Sequence, residues 1–143
     1  MILSAQQTFS DDQAITATAV STNVIDLGVA GTPYGAVAPL NQDIGKGNKI
    51  PILIQVTEDF NNLTSLEVTI ETGDTTALGD ARTSETILLA NLTAGKQTCI
   101  EVVPNCIDKR YFGVRYTVVG TAPTTGKITA GITMGNQTNI VGA

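Results

Sequence analysis

The chain has no histidine and no tryptophan among its 143 residues. Without histidine it lacks the commonest general base and metal ligand, and the Ser/His and Cys/His nucleophile pairs are impossible. Without tryptophan, and with three tyrosines and three phenylalanines, a platform for stacking sugars is poorly supplied. Charged residues make up 15% of the chain, below the usual quarter, and the formal net charge is −5. No basic run exceeds Lys109-Arg110, so nothing resembles the stripe that neutralises nucleic-acid phosphates. Apolar runs such as Ile52-Leu53-Ile54 are far too short to span a bilayer. The start, Met1-Ile2-Leu3, has no basic flank and is interrupted at once by Ser4-Ala5-Gln6-Gln7, which predicts no secretory leader and synthesis in a cytoplasm.

There are two cysteines, Cys99 and Cys106. Reduced thiols are the expectation, although Pro104-Asn105 is able to turn the chain for a bond between them. With no histidine and no second cysteine pair, no zinc site is expected. Gly45-Lys46-Gly47 lacks the spacing of a phosphate-binding loop, and Asp11-Asp12, Asp74 and Asp80 lack that of a calcium loop. Glu67 and Glu71 share one face of a strand, about 13 Å apart, too far for a retaining glycosidase pair. They read as solvated outer-face charges. No catalytic residue, cofactor or metal is therefore expected, and the chain reads as a non-enzyme.

What is present is two-residue alternation. Phe112, Val114, Tyr116 and Val118 fall on one face of a strand, with Tyr111, Arg115 and Thr117 on the other. Ile128, Ala130 and Ile132 repeat the apolar row after a turn at 121–126. Further strands are expected at 14–20, 24–27, 50–56, 66–71, 86–89 and 97–103. Residues 80–85 suggest at most one helical turn. Residues 1–13 read as an N-terminal arm, 14–143 as one domain, and 28–48, rich in glycine and proline, as a long loop. Eight or so short antiparallel strands without a helical period predict an all-β sandwich or jelly roll. Threonine is used heavily, as suits the wet face of a strand and a surface of low charge.

The stretch Ser10-Asp11-Asp12-Gln13-Ala14-Ile15-Thr16-Ala17-Thr18-Ala19-Val20, continuing to Gly28, resembles the opening of the capsid cement (decoration) proteins of tailed bacteriophages. Leu92-Thr93-Ala94-Gly95-Lys96-Gln97 and the segment from Arg110 to Thr133 are similar to later parts of that family. The resemblance implies a jelly-roll virion protein on the capsid exterior, made in the host bacterial cytoplasm. It implies a homodimer or homotrimer that grips the major capsid protein across capsomer junctions, with no enzymatic activity, cofactor, nucleic acid or membrane. Ile2, Leu3 and Phe9 are candidates to pack on a neighbour, or else to cover their own sandwich. Tyr34, Tyr111 and Arg115 are candidate anchors, since tyrosine and arginine are enriched there. The competing reading is a β-sandwich recognition module, carbohydrate-binding or adhesin-like.

Overall fold

The computed structural model describes residues 3–39, 47–102 and 106–134. The strands, in chain order, are β1 (Thr8–Ala14), β2 (Ala19–Val20), β3 (Ile25–Asp26), β4 (Ile50–Glu58), β5 (Leu63–Gly73), β6 (Asp80–Leu88), β7 (Gln97–Val102), β8 (Tyr111–Gly120) and β9 (Lys127–Ile132). They form two antiparallel sheets, β1-β9-β4-β7 and β2-β8-β5-β6, with β3 also on β8. Because β2 and β3 both pair with β8, they act as two halves of one strand. Eight strands then pass between the sheets, except at the β5–β6 hairpin within the second, in the order of two Greek keys, which is the jelly roll. Among the described residues no helix is long and apolar enough to cross a membrane.

The core lies between the sheets. Phe112, Val114 and Tyr116 of β8 and Leu66, Val68 and Ile70 of β5 face Ile52, Ile54 and Val56 of β4 and Ile128 and Ala130 of β9, all buried. Ile100 and Val102 of β7 also point inward. The phenol of Tyr116 shares a 2.7 Å hydrogen bond with the Ser10 hydroxyl. Burial holds this phenol well above its ordinary pKa, against the smaller opposing effect of Ser10. Pro51 sits second in β4, an inner strand, where its carbonyl accepts from the Thr133 N–H at 3.0 Å. A proline is tolerated there because an acceptor, and not a donor, is what the ladder requires of it.

Three expectations are corrected. The arm read over 1–13 is shorter, because Thr8–Ala14 is the outermost strand of the first sheet, paired with β9 through two register shifts. The strand read at 14–20 is broken. The chain leaves one sheet after Ala14, buries Ile15 at the corner, and joins the other at Ala19. Residues 80–85 form the first two thirds of β6 and not a helical turn, since the unpaired edge of β5 captures them. The stretch read as a loop over 28–48 lies between β3 and β4, and residues 40–46 of it lie outside the described residues.

Candidate functional surfaces

Of the six residues singled out by sequence, the five among the described residues are not brought together at one place. Ile2 lies outside the described residues. Phe9 is fully buried and meets Phe112 edge-on, with ring centroids 5.0 Å apart. It is a bridge between the two sheets, so its assignment to a neighbour is overturned. The reason is local: the register shift after Thr8 turns Phe9 inward although polar residues follow it. Leu3 is half-buried, with a methyl packed close to the backbone of Gly131 on β9. Leu3 and Phe9 do share one cleft of about 520 Å³, which Thr8, Asp11, Asn23 and Thr129 complete. Its single carboxylate, Asp11, has no partner base there.

Tyr34 stands alone in the loop after β3. The chain turns at Pro33–Ala36, where the Ala36 N–H donates to the Pro33 carbonyl at 3.0 Å. Gly35 carries a φ of 82°, the left-handed conformation that a type II turn requires at its third position. Tyr34 therefore sits at the tip. Tyr34 and Val37 are fully exposed and Val29 is 69% exposed. The base of this loop is fastened: Arg110 donates to both carboxylate oxygens of Asp26 at 2.8 Å, and the Gly28 N–H donates to Asp26 Oδ1 at 2.8 Å. The Arg110 hydrogen bonds, then that of Gly28, hold the Asp26 carboxyl down to about 2. A carboxylate lowered in the folded state stabilises above its ordinary value of 3.8, and that contribution disappears as pH falls through about 2. The Asp26 carboxyl carbon is expected to titrate near 2 by NMR, and Arg110→Gln to move the midpoint up toward 3.8. An unchanged midpoint in the variant would refute the clasp.

Tyr111 is half-buried, with the Arg110 guanidinium 5.0 Å from its ring centroid. Its ring serves the loop base as a platform for Arg110. Arg115 does point to the outer face of the second sheet, as read, but it is engaged there. Its Nε donates to Glu71 Oε1 at 2.8 Å and its Nη2 to the Ala77 carbonyl at 2.9 Å. Glu71, read as a solvated charge, is 7% exposed at its side chain. Residues 74–79 fold back as a strap over this end of the face. Leu78, at a φ of 59°, lies so close that a Cβ on Gly73 would come within 2.7 Å of its backbone and one on Gly113 within 2.8 Å of its side chain. Those two glycines make room for the strap.

The rest of that outer face is open. Across it run Leu88, Ser65 and Val119, then Thr86, Glu67 and Thr117, then Ser84, Thr69 and Arg115. Leu88 is 58% and Val119 43% exposed, so one end of the face is apolar and the other ionic. Sequence reasoning misread Glu71 as solvated and missed Asp26 and Val37. For Asp26 and Arg110 no signal existed, because 84 residues separate them. Among the described residues no group of three or more acidic or cysteine side chains is placed to hold a metal ion. Burial, and secondarily Glu101, pushes the Cys99 thiol above its ordinary pKa, which is unsuited to a nucleophile.

Residues 9–132 match the Bbp16 protein family. No curated protein matches the chain.

Proposed function

The chain belongs to the Bbp16 family, and from that premise we propose that it is a structural virion protein that binds the outside of a phage capsid and cements adjacent coat-protein capsomers. The observation that carries this reading is the loop after β3. Three apolar side chains, Val29, Tyr34 and Val37, project from the sandwich with little or no cover from the described residues. A tight turn sets their tip and an ion pair their base. Ordering such a loop in advance lowers the entropy cost of docking, and an aromatic tip is the side-chain type that dominates interface energetics. The sequence resemblance to cement proteins supports the same reading, as does the low charge of the threonine-rich faces. In this reading the chain acts by mass action. It binds the assembled lattice in preference to free subunits, so its binding energy adds to the stability of the shell. Repetition over many lattice sites multiplies a modest single contact. The partners are the major capsid protein and a second or third copy of the chain, and the work needs no cofactor or catalysis.

The test is occupancy. Replacing Tyr34 and Val37 together by alanine is expected to weaken binding to purified shells by at least about tenfold, as losing an interface anchor worth 2 kcal/mol or more would. The thermal midpoint of the isolated chain should not move, because neither side chain is buried. Unchanged occupancy at limiting protein concentration would refute the role of the loop.

A further inference from the structure

Three of the four sheet edges are guarded against a further strand. β1 is offset from β9 by two register shifts, and Asn23 lies along it, donating to the Thr8 and Phe9 carbonyls. At the edge of the other sheet, β2 and β3 are two residues long each. β6 carries an extra residue, Arg82, at its register shift, and it turns Glu85 to the core side, opposite the buried Val68. Bulges, very short strands and inward charges are the devices that keep sheet edges from pairing. β7 has none of them. Its six residues pair with β4 from Gln97 to Val102 without a shift, and they include no proline. The core-facing ones are Thr98, Ile100 and Val102, none of them charged. Among the described residues no strand and no backbone hydrogen bond occupies the other side of β7.

We infer that β7 is the edge on which a second copy of this chain pairs, antiparallel, so that the four-stranded sheet continues through a two-fold axis. The inference rests on the cement reading only for the expectation of a second copy. A two-fold axis normal to a sheet keeps its faces in common, so one residue must fall opposite itself. Overlap along β7 is longest when that residue is Cys99 or Ile100. Centring on Cys99 sets Gln97 opposite Glu101 of the second copy, twice by symmetry, and Thr98 opposite Ile100. Each carboxylate then meets an amide that donates to it. Centring on Ile100 sets the Cys99 thiol, a weak donor, against the same carboxylate. Centring on Glu101 opposes two like charges, which is destabilising. The register on Cys99 is the best matched of the three. The space beside the edge agrees with pairing to a copy. A slot of about 280 Å³ between β6 and β7 is lined by Glu85 and Lys96 among others, and neither side chain makes an ion pair among the described residues. Two such slots meeting across the axis bring together one free acid and one free base from each copy, with no net charge to bury.

The experiment uses the full chain in solution, without shells. Sedimentation equilibrium is expected to show a monomer in exchange with a dimer. In a sample mixed from isotopically labelled and unlabelled chains, filtered NOEs between different copies are expected from Gln97 to Glu101 and from Thr98 to Ile100. Gln97→Glu opposes carboxylates at two symmetric places and is expected to weaken the dimer about fivefold. Gln97 is exposed, so the thermal midpoint of the dilute chain should stay in place. Exchanging the pair, Gln97→Glu together with Glu101→Gln, again gives each carboxylate an amide and should restore the affinity of the wild type. A chain that stays monomeric at about 0.5 mM, where even a millimolar dissociation constant leaves a visible dimer, would overturn the edge pairing. So would a dimer without those NOEs, or a dissociation constant that Gln97→Glu leaves unmoved. Shell occupancy with the Tyr34 and Val37 variant is read separately, because that variant keeps the β7 edge intact.

Discussion

Phe9→Ala is expected to lower the unfolding free energy of the isolated chain by about 3–5 kcal/mol, the usual cost of emptying a buried aromatic site. Phe9 has no exposed surface, and its ring meets that of Phe112 edge-on across the two sheets. Neither neighbour can collapse far into the space, because β1 is held to β9 on one side and Asn23 is fixed on the other. The Asn23 N–H donates to the Phe9 carbonyl at 2.9 Å, and the Asn23 side-chain amide to the Thr8 carbonyl at 2.7 Å. For a domain whose whole stability is roughly 5–15 kcal/mol, such a loss leaves the variant marginal at best. Urea denaturation of the isolated chain decides the matter. A midpoint equal to wild type would mean that Phe9 serves a neighbour and not its own core.

The second large effect is at Arg115. Removing its guanidinium by Arg115→Ala strands the Glu71 carboxylate under the strap with no cation at all, and is expected to cost about 3 kcal/mol. Replacing both partners by apolar residues of similar size, as in Glu71→Leu with Arg115→Met, removes the buried charge along with its partner. That double variant should recover most of the loss and lie within about 1.5 kcal/mol of wild type, as apolar replacements of buried ion pairs tend to. The same denaturation series, with the two single variants, forms a double-mutant cycle. The idea of a buried ion pair fails if the double variant is as unstable as Arg115→Ala. Hydrogen exchange at 74–79 gives an independent reading, because Arg115 also ties the strap through the Ala77 carbonyl. Faster exchange there in Arg115→Ala, without global unfolding, is the expected sign.

Where the sequence alternated cleanly, it was legible. Phe112, Val114 and Tyr116 are buried as read, and so are Ile52, Ile54, Ile100 and Ile128. A drier and a wetter face leave a period of two in the residue types, except on β4, where Leu53 is buried on the opposite face as well. The order of strands is not written that way. Nothing in β1 announces that it pairs with β9, and the jelly-roll expectation leaned on resemblance. Phe9 stayed open between a neighbour and its own sandwich because register shifts and a left-handed Asp12, at a φ of 48°, break the alternation around it. Glu71 was misread for a different reason. Alternation assigns it to the outer face, which is right, but outer was taken to mean wet. On β5, an inner strand of the sheet, a side chain is flanked by β6 and β8, and here the strap closes over it as well. Tyr34 was legible as a loop residue. Its complete exposure was not, because that depends on how little the loop touches the sandwich.

The pairing of β1 with β9 sets a condition on biosynthesis. Among the described strands, the first in the chain is completed by the last. For the roughly 6–24 s that translation of the intervening stretch takes, β1 has no ladder to join. A nascent chain stopped before Lys127 should thus stay sensitive to protease at its beginning, however much of β4 to β8 has already emerged.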